Sequence, residues 1–201
     1  KLGTGKGAKD TYSLAESAYR VYLEQFPDNK HTYEMRYAFG ELLYTLKNFN
    51  EAYDQYMAVV KLDSKGKRSQ FCANSAVFAA GEMVKAEAKA GKIEKASKAN
   101  KTEAVPLSDW ENKKLAALDQ YAQLFPADKD TKGMIYEAGY LYYNKNQFKE
   151  ASDRFRVVIG MDPQSKQAML AANLILDSFN LVEDWKNLKD VSKAFYDQES
   201  L

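Results

Sequence analysis

The chain has 201 residues, of which 45% are hydrophobic, 28% charged and 13% aromatic, and its formal net charge is +1. That is the composition of a packed globular protein, and the near-zero charge speaks against a dedicated nucleic-acid or membrane-surface protein. A single cysteine, Cys72, excludes an intrachain disulfide, and a single histidine, His31, excludes a multi-histidine metal site.

Taken in chain order, Lys1 to Asp10 reads as a flexible loop. Its Gly3-Thr4-Gly5-Lys6-Gly7 only superficially looks like a phosphate loop. It lacks the glycine four residues earlier, the Ser or Thr after the lysine and a preceding strand, so a flexible linker is the better reading. Residues 11–27 form an orphan helix ending at Phe26-Pro27. A helix–turn–helix unit follows at 33–64. Residues 67–126 form a second unit with an insertion of about two dozen residues. It comprises a long helix over 67–90, a broken segment at 91–107, and a helix that starts with Ser108 as N-cap and Glu111 three residues on, a capping box. A further unit spans 132–163, and a last pair spans 166–198, joined near Glu183-Asp184-Trp185. No apolar run reaches the ~18 residues of a membrane span.

The units are related by an internal repeat. Phe26-Pro27 recurs as Phe125-Pro126, and sliding 18–74 onto 117–173 gives 57 ungapped pairs, of which 20 are identical. They include Tyr22/Tyr121, Tyr37/Tyr136, Gly40/Gly139, Phe49/Phe148, Ala52/Ala151, Asp63/Asp162 and Asn74/Asn173. Within a unit, Gly139, Tyr142, Ala151, Phe155, Val158 and Pro163 take positions 8, 11, 20, 24, 27 and 32, and the first copy has Gly40, Leu43, Ala52, Tyr56, Val59 and Ser64 there. Small residues at 8 and 20 let two antiparallel helices approach, and large ones at 11, 24 and 27 fill the seams. This resembles the 34-residue tetratricopeptide repeat. The expected fold is therefore all-α, a right-handed superhelical solenoid. Because Lys1 is not an initiator Met and the unit containing Ala15, Tyr19, Tyr22 and Pro27 lacks its first helix, the chain is expected to be a fragment of a longer solenoid.

In that family the first helix of each pair lines a concave groove. The resemblance puts Glu34, Tyr37, Glu41, Tyr44 and Thr45 there in one copy, and Gly133, Tyr136, Tyr140, Tyr143 and Asn144 in the other. Tyrosines are amphipathic anchors that lose little side-chain entropy on binding, so Tyr37, Tyr44, Tyr136, Tyr140 and Tyr143 are the expected contact residues. Packing between helices is their alternative role. Asn74 and Asn173 are repeat equivalents on first helices, placed either to hold a ligand's backbone amide or to make caps and inter-helix hydrogen bonds. The family's carboxylate clamp needs Lys and Asn where this chain has Tyr37 and Glu41, so a receptor for chaperone tails is not expected.

Signals for chemistry are few. Cys72 and His31 are not placed together by any spacing, and Cys72 reads as an inert core thiol. No acid–base pair stands out, and no metal or cofactor is expected. Residues 61–105 carry ten basic against five acidic residues, net +5. Without interleaved aromatics this reads as a solvated helix end and flexible insertion rather than a nucleic-acid patch, an acidic partner being the alternative. Frayed helix and disorder both fit 91–107.

Two stretches carry a narrower resemblance. Ala18-Tyr19-x-x-Tyr22-Leu23-x-x-Phe26-Pro27-Asp28, with Gly40-Glu41-Leu42-Leu43-Tyr44 and Phe49-x-Glu51-Ala52, resembles repeats of bacterial cell-envelope proteins of the outer-membrane assembly and Tol–Pal-associated types. The stretch Ala172 to Leu181, with Asp184-Trp185 and Leu188, resembles repeat proteins of deltaproteobacterial envelopes, including gliding-motility machinery. These resemblances imply a periplasmic or outer-membrane-associated scaffold that binds a protein or extended peptide and has no chemistry of its own. The alternatives are the regulatory lobe of a larger envelope enzyme and a peptidoglycan- or glycan-binding module.

Overall fold

The computed structural model describes residues 6–97, 100 and 102–197. Among the described residues there are nine helices and no strand, an all-α fold of tetratricopeptide-like helix–turn–helix pairs. The chain divides into two compact units, Lys1–Lys85 and Ala86–Leu201.

The first unit holds α1 (Lys6–Gln25), α2 (Thr32–Thr45), α3 (Phe49–Leu62) and most of α4 (Ser69–Lys89). Helix α1 begins at Lys6, inside the stretch expected to be a loop, so that expectation is corrected over 6–10. No proline interrupts the stretch, and once 11–25 is helical each added residue gains a backbone hydrogen bond without a new nucleation cost. Gly3, Thr4 and Gly5 of the glycine-rich stretch lie outside the described residues. Helix α1 ends before Pro27, as the restriction on a residue preceding proline requires. The turn into α2 is closed by Thr32, which is buried and donates to the Phe26 carbonyl at 2.8 Å. Helix α3 is capped by Asn48. Its side chain accepts from Glu51 N and donates to Glu51 Oε1, satisfying an amide that the first helical turn leaves free.

Helices α2 and α3 pack face to face. Gly40 sits against the ring of Tyr56, so closely that a Cβ there would lie 2.8 Å from Tyr56 Cε1. Phe39, Leu43, Ala52, Tyr56, Val59 and Val60 form the buried seam.

The second unit contains the end of α4, a non-helical segment over 92–107, α5 (Asp109–Leu124), α6 (Thr131–Tyr143), α7 (Phe148–Met161), α8 (Lys166–Leu181) and α9 (Trp185–Asp197). The entry to α6 repeats the entry to α2: Thr131 is buried and donates to the Phe125 carbonyl, and Tyr121 donates to Asp128 at 2.8 Å, as Tyr22 does to Asn29 at 3.2 Å. A Cβ on Gly139 would lie 2.7 Å from Phe155 Cε1. In both copies the aromatic side chain at position 24 fills the space over the glycine. Ala151, Phe155, Val158, Ile159, Ala168, Ala171, Ala172 and Ile175 form the α7–α8 core.

The tight turns share one device. Lys47, Asn146 and Glu183 occupy the left-handed region with φ of 61°, 55° and 57°. There the chain leaves one helix and enters the next through backbone bonds such as Asn48 N to Leu43 O and Asp184 N to Phe179 O. Few non-glycine residues adopt that conformation, and only Asn146 is of a type that takes it readily.

Candidate functional site

The eight expected groove residues divide between the units, four in each. In the first unit α2 and α4 present one face. They are tied at one end by Tyr33, whose hydroxyl accepts from Arg68 N at 2.8 Å and lies 3.0 Å from Ser69 Oγ. Tyr37 is half-buried on this face rather than free. Phe71 meets it edge-on at 5.8 Å, and the Arg68 guanidinium lies 4.4 Å over its ring while reaching Glu34 at 3.4 Å. Burial raises the Tyr37 hydroxyl's pKa above its ordinary value.

One turn further along, Glu41 accepts from the Tyr56 hydroxyl at 2.6 Å. Burial and this bond together push the Tyr56 pKa far up, so Tyr56 stays a neutral donor. Tyr44 packs edge-on against Phe49 at 5.1 Å. Glu41, Tyr44 and Asn74 line a cavity of about 290 Å³ together with Tyr56, Phe71, Ser75 and Phe78. Phe71 and Phe78 are largely exposed at 49% and 60%. The side-chain oxygen of Asn74 is buried and has no hydrogen-bond partner among the described residues. Of the two roles open to Asn74, a cap or inter-helix bond through that oxygen is not what this structure contains.

In the second unit Tyr136, Tyr140 and Tyr143 run along α6 as nearly parallel rings, with centroids 6.4 and 6.1 Å apart. Tyr136 is half-buried against Phe155, and Tyr140 is 45% exposed. Tyr143 donates to Asp177 of α8, and burial together with that bond raises its pKa. Asn173, unlike Asn74, is exposed on α8.

The residues beside the expected groove side chains that the sequence reading missed are Tyr56, Phe71 and Phe78, which line the same cavity, and Asp177, which bonds Tyr143. Phe71, Asn74 and Phe78 share a helical face at i, i+3 and i+7, so the spacing alone contained that part of the wall. In the sequence Tyr56 reads only as a seam filler, because nothing in its position distinguishes it from Phe155.

The insertion departs most from expectation. A solvated, flexible segment was expected, yet its described residues dock onto the α6–α7 turn. Val105 is buried, and its amide donates to the Lys145 carbonyl at 2.9 Å while its carbonyl accepts from Gln147 at 2.6 Å. Asn146 donates to the Glu103 carbonyl at 3.0 Å. The Lys145 ammonium lies 2.9 Å from Glu111 and donates to the Glu94 carbonyl at 2.6 Å, with side-chain exposures of 3% for Lys145 and 8% for Glu111. Glu111 is also the capping-box glutamate of α5, bonded to Ser108 N at 2.8 Å. The physical reason is that a buried ammonium needs full pairing, and the insertion's backbone oxygens complete it. Lys98 and Lys101 of the basic stretch lie outside the described residues.

Cys72 is fully buried, and burial pushes its thiol pKa up to about 12, which leaves it inert at neutral pH. His31 is exposed at the start of α2. Among the described residues no group of three or more His, Cys, Asp or Glu is placed to hold a metal. No helix among them is long and apolar enough to cross a membrane.

No known protein-family profile matches the chain, and no curated protein matches it. Solved structures do align with it. A MamA protein aligns over 98% of this chain and 85% of its own length at 16% identity, with a TM-score of 0.48. MamA 41-end from Desulfovibrio magneticus RS-1 aligns over 99% and 97% at 14% identity, with a TM-score of 0.44. A tetratricopeptide repeat protein from Parabacteroides merdae aligns over 94% and 66% at 14% identity, with a TM-score of 0.48. These superpositions fall below a TM-score of 0.5, and the fold assignment rests on the helix pairs themselves.

Proposed function

We propose that the chain is a non-enzymatic protein–protein interaction scaffold that takes a partner protein or extended peptide on the faces of its first helices. The observation that carries this reading is the chemistry of those faces. They hold half-exposed tyrosine and phenylalanine side chains around an open cavity, the residue types that dominate interface energetics. The only cysteine is sealed in the core. By resemblance of the repeats, the scaffold works in a bacterial envelope complex, periplasmic or outer-membrane-associated, of the assembly or gliding-motility kind.

The test is affinity capture from a native envelope extract, using the chain beside a Phe78→Ala/Tyr140→Ala variant. Both side chains are exposed, one on each face, so the variant keeps its fold, which circular dichroism verifies. Specific proteins captured by the parent and lost with the variant are the expected result. Equal capture by both would place binding elsewhere and overturn the reading.

One observation favours a second reading. The parallel stack of Tyr136, Tyr140 and Tyr143, with Tyr140 open to solvent, is also a surface on which sugar rings stack. Sedimentation with purified peptidoglycan, lost on Tyr140→Ala, would favour a glycan-binding module instead.

A further inference from the structure

The cavity of the first unit is unusual in what its wall contains. Four aromatic rings, those of Tyr44, Tyr56, Phe71 and Phe78, surround one carboxylate, Glu41, and the side-chain amide of Asn74. No lysine or arginine among the described residues lines it, and Glu41 takes part in none of the ion pairs found among them. Its recorded side-chain partner is the neutral Tyr56 hydroxyl, which leaves acceptor capacity on the carboxylate.

Elsewhere in the same unit, this combination of a ring and a glutamate is completed by an arginine. Arg68 lies 4.4 Å over Tyr37 and pairs with Glu34. Arg20 lies 5.4 Å over Phe39 and pairs with Glu51 at 2.5 Å. The cavity has the rings and the carboxylate but no cation of its own. A guanidinium is planar and weakly hydrated, stacks on aromatic faces and donates in a fork to a carboxylate. The buried, unpartnered Asn74 oxygen adds an acceptor whose unmade bond is a standing cost that an N–H donor reaching it would remove.

We propose that this cavity is the specificity pocket of the groove and receives an arginine side chain of the partner. This rests on the scaffold reading above and deepens it. The guanidinium stacks on the exposed Phe78 ring and pairs with Glu41. The second copy cannot do the same. Its equivalent of Glu41 is Tyr140, its equivalent of Phe78 is Asp177, and that carboxylate is engaged by Tyr143.

The test is an NMR titration of the full chain with the capped tripeptide acetyl-Gly-Arg-Gly-amide, beside the citrulline and lysine versions. Citrulline keeps the shape and loses the charge. The Arg peptide is expected to shift the Asn74 side-chain amide resonances saturably. The citrulline and lysine peptides, and the Arg peptide on Glu41→Gln, are each expected to bind at least about tenfold more weakly, a factor equal to about 1.4 kcal/mol. Phe78→Ala, at an exposed ring, gives the same loss in a variant whose fold is not at risk. Equal binding of the Arg, citrulline and lysine peptides, or binding of the Arg peptide unchanged by both variants, would overturn the proposal. So would the absence of any saturable shift. If that happens while Phe78→Ala/Tyr140→Ala still abolishes partner capture, the arginine pocket is wrong and the scaffold reading stands. Failure of both experiments removes the scaffold reading as well.

Discussion

In the first copy a hydroxyl on the second helix, Tyr56, donates across the pair to Glu41 on the first. In the second copy the same position is Phe155, which has no hydroxyl to satisfy, and Tyr140 stands where Glu41 stood. The polar couple there runs instead between neighbouring first helices, from Tyr143 to Asp177. The turns differ in the same manner. Leu46-Lys47-Asn48 closes the α2–α3 pair with Leu46 37% exposed, whereas Lys145-Asn146-Gln147 closes the α6–α7 pair and anchors the insertion. Two copies with corresponding helices thus distribute their polar groups differently, one leaving an acidic aromatic cavity open and the other using its polar groups to hold structure together. A repeat conserves the contacts that set helix spacing and is free to change everything aimed away from them.

The largest effect expected from this contrast is at the buried ion pair. Lys145→Met leaves Glu111 buried without its cation, and removing one partner of such a pair costs about 3–5 kcal/mol. Leu46→Ala, at the equivalent position, is expected to cost less than about 1 kcal/mol. Paired urea melts check this, and equal losses would mean that the Lys145 environment is wet. Next in size are Gly139→Ala and Gly40→Ala. Each puts a methyl group within 2.8 Å of a ring carbon, and overpacking of this kind costs about 1–3 kcal/mol. Thermal melts with unchanged midpoints would contradict the register of both copies.

An effect of similar size tests the exchange of polar couples directly. Phe155→Tyr brings the first copy's hydroxyl into the second, where Tyr140 occupies the acceptor's position, and an unmet buried hydroxyl costs about 1–3 kcal/mol. Adding Tyr140→Glu should recover most of that loss. A double-mutant cycle with no coupling between the two would break the comparison.

The smallest expected effect is at Glu51. The Asn48 side chain, with Arg20 beside it, holds the Glu51 carboxyl below the usual carboxylate range. A lowered folded pKa means that the contribution is fully present above the ordinary glutamate value and disappears as pH falls through the folded one. Glu51→Gln should therefore lower stability at pH 7 by less than about 1 kcal/mol, because the pair is solvent-screened. It should have no effect at pH 2. A loss that persists at pH 2 would assign the role to packing.

Much of the fold was legible because helix pairing is written in a period. Gly40 and Gly139, Ala52 and Ala151, and the Phe-Pro turns recur at one offset, and each has a single spatial role. The burial of the expected groove residues was less legible. Tyr37 and Tyr136 share a register with exposed residues but are half-buried, since a ring on a first helix can lean onto its neighbour. The docked insertion was not legible at all. A lysine in a polar turn reads as solvated, and what buries Lys145 is a segment some forty residues away with no period of its own. The resemblance to envelope proteins rests in part on Gly40, Leu43, Ala52 and Ile175, which the packing of a helix pair demands wherever the protein works, so burial says nothing of the setting.

The docking of the insertion also makes it an opening unit distinct from the helix pairs. Helices within a pair meet across short sequence separations, whereas the bonds that hold the insertion join residues 42, 43 and 51 apart. Contacts that close long loops form late in folding and are natural candidates for local release without global unfolding. The Val105 amide, whose partner is the Lys145 carbonyl across that seam, is therefore a single-residue reporter. Its hydrogen exchange measures how often the insertion lifts off while the repeats beneath it stay folded.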